Sequence, residues 1–486
     1  MIKEVMLSRL ANHKWNRVTA AHLANRAGFG ATPETIVKLT GHYMGDIVDQ
    51  LINISDDAWN LPPPEWVNED SASRLSPADR KNQSAEERQK IMQMQRRTAR
   101  DELTSLRGWW FNQMLTTPNP LLEKLTLFWH GHFATSMEKV RHPYAMYLQN
   151  QTLRKYALGN WEKMLVAISR DPAMLIYLDN AQSNKQQPNE NYARELMELF
   201  TLGEGHYSED DVKAAARAFT GWSIERDRME FRFREPMHDN NKKTFMGKSG
   251  NLDGEDIINR ILKNPEAAPY ICKKLWSFFA YENPPKRVIN ELARILVQNQ
   301  FEWKPVLRAM FTSEDFYSEL ALRTQIKSPV QWLVSSCRYL DTPMPDPEVA
   351  AAICELLGQR LFAPPSVKGW DGGFTWITTA SLIERYNLAG VLIKGSGRKS
   401  QNRLPRGLIY ENRADLGKIL PQESITSNDE AVKNLLWRLF HGPLSDKDIA
   451  TLRQHFNRLP NYTEWTGDDV RNLIHLLMST PLYQLT

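Results

Sequence analysis

Between Asn189 and Trp222 the chain reads NENYARELMELFTLGEGHYSEDDVKAAARAFTGW, and no other stretch restricts the fold as much. At helical spacing Tyr192, Leu196 and Leu199 form one apolar row and Ala193, Met197 and Phe200 a second, while Asn191, Arg194, Glu195 and Glu198 fall at i, i+3, i+4 and i+7. A helix with apolar residues over most of its circumference is largely buried. Its polar strip must therefore meet paired charges, a metal or a water-filled cleft, because an isolated buried carboxylate costs several kcal/mol. Leu202 and Gly203 end this helix, with Gly203 and Gly205 free to take positive φ. Ser208 is placed to cap a second helix, Asp211 to complete its capping box, and Gly221 to stop it. The strip has two readings, a functional site or a structural ion network drawing on Arg194 and Arg217.

The stretch LLEKLTLFWHGH, Leu121 to His132, predicts another apolar helix ending in a His-x-His pair. In a regular helix His130 and His132 diverge by about 200°. Gly131 between them allows a backbone break that lets both imidazoles converge. Neutral imidazoles in such a pair suit a divalent transition metal, although a hydrogen-bonded core pair is the plainer account. Beyond Trp222 the period changes to alternation. Residues 229–234 predict a short strand with 243–247 as its hairpin partner, and His238-Asp239 between them is a lid tip, a further ligand or a polar turn. The Pro- and Gly-rich segment Leu361 to Gly373 predicts an irregular loop packed by Phe362, Trp370, Phe374 and Trp376, either as a cleft wall offering Lys368 and Asp371 or as a self-sealed structural loop.

The rest is helical. Residues 1–54 read as N-terminal helices, 55–100 as an exposed insertion returning to helix near Ala85, 101–390 as the helical core and 391–486 as a C-terminal helical unit echoing residues 270–320. The echo is Leu275-Trp276-x-x-Phe279 answered by Leu436-Trp437-x-x-Phe440, and Ser313-x-x-Phe316-Tyr317 answered by Ser479-x-x-Leu482-Tyr483. The formal charge of 486 residues is only +4 with both signs interspersed, and the basic run Gln89 to Arg100 reads as a solvated helix face, so no nucleic-acid partner is expected. Three cysteines, Cys272, Cys337 and Cys354, sit in apolar patterns and read as buried hydrophobes. No apolar run approaches the roughly twenty residues of a membrane span, and the N-terminus lacks a secretory pattern, so the expected location is cytoplasmic.

Together these stretches resemble a bacterial family known as the domain of unknown function numbered 1800. The matching residues are His22 to Gly30 (HLANRAGFG), Leu125 to Ala134 (LTLFWHGHFA), Asn189 to Gly203, Ala218 to Trp222 (AFTGW), His238-Asp239, Lys243-Thr244 and Leu361 to Trp370, spread from about Asn16 to Gly390. The resemblance implies a mainly helical protein whose activity is unassigned. It also implies export as the alternative location, since many such proteins carry a leader, and a protein partner from a neighbouring sulfatase-like family.

The resulting expectation is a mainly α, multi-helical body with a small β-hairpin insertion at about residues 229–247. Its candidate hydrolytic site has His130, His132 and Glu195 holding one divalent metal ion, Glu198 or His238 as general base, Arg194 beside them, and Lys368, Trp370 and Asp371 contacting substrate. A metal-free form uses Glu195 and Glu198 as coupled acid and base. The competing expectation is a non-catalytic binding or maturation partner whose polar cluster is structural. The chain shows no nucleophile elbow, phosphate-binding Walker loop, dinucleotide fingerprint or His-Glu-x-x-His pattern.

Overall fold

A computed structural model describes residues 7–68, 71, 84–396, 404, 408–411, 414–420, 425, 427–442, 444–456 and 460–486. Ser73 and Ser76, in the middle of the expected insertion, and parts of the C-terminal unit lie outside the described residues. Helices dominate what is described, and the only strands there make two separate two-stranded sheets. The mainly α reading therefore holds. One apolar cluster runs from Leu10 to Tyr483 and includes Cys272, Cys337 and Cys354, all three buried and free. Among the described residues no helix is long and apolar enough to cross a membrane.

The helix Pro120–His132 runs through the middle of this core, with every residue from Leu121 to His130 buried. Pro120 at its first turn supplies a pre-set φ where no N–H is needed. Glu123 on this helix is fully buried, receiving Arg154 Nε at 2.7 Å, Arg154 Nη2 at 3.0 Å and Trp110 Nε1 at 2.8 Å. A carboxylate can stay inside because its lone pairs are met by charge-assisted donors. Ahead of it, the helix Ala85–Thr116 starts on a capping box between Ser84 and Glu87. Its buried residues begin only at Glu102, and the basic run Gln89 to Arg100 is exposed or half-buried, as a solvated face should be.

The stretch Asn189–Trp222 forms two packed helices, with one departure from regular periodicity. An α-helix, Glu190–Glu195, continues as a π-helix, Leu196–Thr201. The row Ala193, Met197 and Phe200 is fully buried, whereas Leu199 is only half-buried because the wider turn swings it outward. The second helix, Glu209–Ala218, has the Ser208–Asp211 capping box that its sequence encodes. Gly221 adopts φ +80°, and a Cβ there would lie 2.8 Å from the carbonyl oxygen of Arg234.

The strands are present but their pairing differs from expectation. Strand β1 (Trp222–Glu225) pairs with β2 (Glu230–Phe233), and β3 (Lys243–Phe245) pairs with β4 (Lys248–Gly250). Residues 229–234 thus fold back on Trp222 rather than forward onto 243–247. Local turns account for this. Met246 and Gly247, both at positive φ, make the two-residue turn that closes β3 onto β4 at once.

Candidate functional site

The end of the helix Pro120–His132 brings three of the sequence motifs together, and it does so through backbone contacts. His130, 1% exposed, accepts the N–H of Phe362 on Nε2 at 3.1 Å, which places its own proton on Nδ1. His132 has the opposite tautomer: its Nε2–H donates to the carbonyl of Phe200 at 3.0 Å, and Nδ1 is buried without a partner. Burial, helped by nearby Arg107, pushes His130 down to about 3. Burial and Lys274 push His132 well below the ordinary histidine range. Both rings are therefore neutral pins, His130 holding the loop that begins at Leu361 and His132 holding the π-turn.

Gly131 completes the joint. Gly369, at φ +82°, approaches so closely that a Cβ on it would be 2.2 Å from the carbonyl oxygen of Gly131. Next to it the Trp370 ring lies 5.7 Å from the His130 ring. Trp370 thus serves as a packing residue of the loop. Lys368 and Asp371 on either side point their chain segments to solvent and are exposed. Phe362 and Trp376 are buried, but Phe374 is 86% exposed, contrary to the expectation that all four loop aromatics pack.

Glu195 closes the α-helical segment and Glu198 lies in the π-turn. They sit half-buried one helical step apart, and the charges acting on Glu195 come from Glu198, Arg194 and Lys368. Burial and then the neighbouring Glu198 raise the Glu195 carboxyl above the ordinary range, against the opposing pull of Arg194 and Lys368. The Tyr207 hydroxyl donates to Glu198 Oε2 at 2.8 Å, and the hydroxyl of Tyr177, close to Glu195, is raised by burial and then by that carboxylate. Arg194 forks onto Glu209 through Nη1 and Nη2, both at 2.7 Å, clipping the two helices of the stretch together. That leaves Lys368 as the cation facing Glu195 with no ion-pair partner of its own among the described residues.

The π-turn between the carboxylates and His132 is held from its other side. A π-helix breaks the i→i−4 ladder locally and leaves carbonyls to be met by side chains. Tyr270 donates to the Leu199 carbonyl at 2.7 Å and Lys274 Nζ to the same oxygen at 3.1 Å. Burial drops the Lys274 amine to about 8, and the amine lies 4.9 Å from the centre of the Tyr270 ring. Tyr177, Tyr207, Tyr270 and Lys274 were not expected from sequence. Tyr270 and Lys274 are four apart on the helix Ala267–Phe279, a polar-ended pair on a surface otherwise read as core.

His238 stands apart from this group. It is buried, its Nδ1 lies 2.8 Å from the Thr220 carbonyl and its ring packs on Phe233 at 5.3 Å. Beside it Asp239 pairs with Arg217 at 2.7 Å, in the last turn of the helix whose first turn holds Glu209. A helix of ten residues lies between the end clipped by Arg194 to Glu209 and the end at Thr220 where His238 packs. Nε2 of both His130 and His132 is engaged by the backbone, which leaves the buried Nδ1 of His132 as the ring nitrogen without a partner. Among the described residues no three His, Cys, Asp or Glu side chains gather as a metal site.

A family model described as "Protein of unknown function (DUF1800)" matches residues 22–485, and the chain belongs to that family. No curated protein and no solved structure matches it.

Proposed function

We propose that this member of the family uses Glu195 and Glu198 as a metal-independent acid–base pair in a hydrolytic reaction, with Lys368 and Asp371 contacting the substrate. The observation that supports it is the half-buried Glu195 carboxyl, which burial and Glu198 hold toward its protonated form beside an exposed ammonium group. In this reading Glu198, oriented by the Tyr207 hydroxyl, removes a proton from water as the water oxygen attacks. Glu195 gives its proton to the departing group, and the two carboxyls exchange states when product leaves. In the metal-bearing form of the reading, Glu195 and Glu198 would hold the divalent cation, with the unpartnered Nδ1 of His132 as the ring nitrogen still open to a ligand bond.

The test is an activity screen of purified protein against chromogenic esters, amides, glycosides and phosphodiesters, with Glu195→Gln and Glu198→Gln alongside. Each variant should lose about a hundredfold in rate at unchanged melting temperature, the scale of a lost acid or base. Equal rates in wild type and both variants would remove the proposal. Insensitivity to chelator separates the metal-free form from the metal-bearing one.

A non-catalytic role has an observation of its own. Phe374 is 86% exposed, and Ile383 and Tyr386 on the helix Thr379–Lys394 are 56% and 50% exposed, an apolar rim beyond the loop that suits a protein partner. The sulfatase-like partner implied by resemblance would dock there. Co-purification that is lost in Phe374→Ser with Ile383→Ser, and kept in Glu195→Gln, would favour this second reading.

A further inference from the structure

Away from the carboxylate pair, a cavity of about 270 Å³ opens between Trp59, the helix Pro143–Tyr156 and the end of the helix Trp161–Ser169. Its walls divide by chemistry. Trp59, Leu148, Ala167 and Pro172 supply apolar surface, Gln151 and Thr152 supply neutral polar groups, and Lys155 and Arg170 supply positive charge. One acid, Asp171, also lines it.

The charge on this lining is not cancelled from within. Lys155 makes no ion pair among the described residues, and its ammonium rests over the rings of Trp59 at 5.1 Å and Tyr156 at 5.6 Å. Arg170 pairs with Glu255 through Nη2 and lies over Trp222 and Phe231, yet its Nε has no hydrogen-bond partner. Asp171 is 3% exposed, and one of its oxygens already receives Gln149 Nε2 at 2.9 Å and the N–H of Met174 at 3.0 Å. Burial raises that carboxyl to about 7, so at neutral pH it brings less than a full negative charge to the wall. The size is just below the usual range of small-ligand pockets, about 300–1,000 Å³.

We propose that this cavity binds a small apolar carboxylate, its hydrocarbon or aromatic body against Trp59, Leu148, Ala167 and Pro172 and its anionic end drawn to Lys155 and Arg170. An unpaired ammonium above an indole is a cation held by a weak partner, and an incoming carboxylate gives it a stronger one without displacing any existing ion pair. A cationic ligand would meet the unpaired Lys155 ammonium, and a neutral one would gain only the apolar contact. This site is independent of the acid–base reading of Glu195 and Glu198.

Isothermal titration of the full chain with benzoate, benzyl alcohol and benzylamine separates these cases, since the three share a ring and differ in charge. Benzoate should bind most tightly and benzylamine least. Lys155→Ala should weaken benzoate by up to about fivefold, the scale of one partly exposed charge pair, and leave benzyl alcohol unchanged. Lys155→Arg should restore most of the loss. Trp59→Leu should weaken benzoate and benzyl alcohol alike. Absence of benzoate binding at millimolar concentration, benzylamine binding as tightly as benzoate, or a benzoate affinity indifferent to Lys155→Ala would each overturn the proposal. Circular-dichroism melts of the variants show whether a lost signal reflects a lost fold, in which case Lys155→Gln is titrated in place of Lys155→Ala and must show the same charge dependence.

Discussion

His130 accepts the backbone N–H of Phe362 across 232 positions of sequence, at 3.1 Å and out of reach of water. Through this bond a helix end and an irregular loop are joined, and the loop in turn sets Lys368 beside Glu195. Replacing His130 by alanine leaves a buried N–H unmet, at about 1–3 kcal/mol, and a cavity besides. Urea denaturation of His130→Ala should show a loss at the upper end of that range or above it. Limited proteolysis should then cut between Leu361 and Gly373 in the variant under conditions that spare the wild type.

The same histidine makes stability depend on pH. Its folded value, about 3, lies below the unfolded value of about 6.5, so the unfolded chain binds more protons between the two. The contribution is complete above about pH 6.5 and declines as pH falls toward 3. Asp171, raised by burial to about 7, acts in the opposite sense, favouring the fold at low pH and losing that contribution as pH rises through 7. A difference measurement isolates His130: the urea midpoint of His130→Gln should vary less between pH 7 and pH 4 than that of the wild type.

After burial, the charge of Glu198 does most to raise the Glu195 carboxyl, and Lys368 acts with Arg194 to lower it. Glu198→Gln should therefore bring the Glu195 titration down, and Lys368→Met should take it further up. Carboxyl-carbon NMR of protein labelled at glutamate reads both shifts. Shifts of the same sign in the two variants would contradict the placement of these three side chains.

Two glycines with nearly the same backbone angle should respond differently to alanine. Gly205, at φ +85°, has nothing within 4 Å of an added Cβ, so Gly205→Ala should cost only the backbone strain, about 1 kcal/mol. Gly369, at φ +82°, would drive its Cβ into the Gly131 carbonyl. Gly369→Ala should cost several times more in a denaturation experiment, and should shift the environment of Trp370.

Much of the helical architecture was legible because capping and periodicity are local. The Ser208–Asp211 box, the core row Ala193, Met197 and Phe200, and the buried cysteines all follow from residue type and spacing. The orientation of the polar groups was not, for a specific reason. A histidine's residue type does not say whether its ring nitrogen meets a metal, a side chain or the backbone, and here both rings meet backbone groups 68 and 232 positions away. Tyr270 and Lys274 were hidden for a related reason, since each carries enough hydrocarbon to pass for core at helical spacing. The strand pairing failed because alternation marks strands without naming partners, and short turns settle that choice.

The wide turn at Leu196–Thr201 has an implication for insertions and deletions. Its Phe200 carbonyl is met by His132 and its Leu199 carbonyl by both Tyr270 and Lys274, the three approaching from two other helices. Removing a single residue there would let the segment rewind into an ordinary helix, with its own ladder fully bonded, while rotating everything beyond it by about 100°. The three anchors would then close on empty positions. Such a segment can exchange one side chain for another far more readily than it can change its length, and its residue count matters as much as the identity of Glu198 within it.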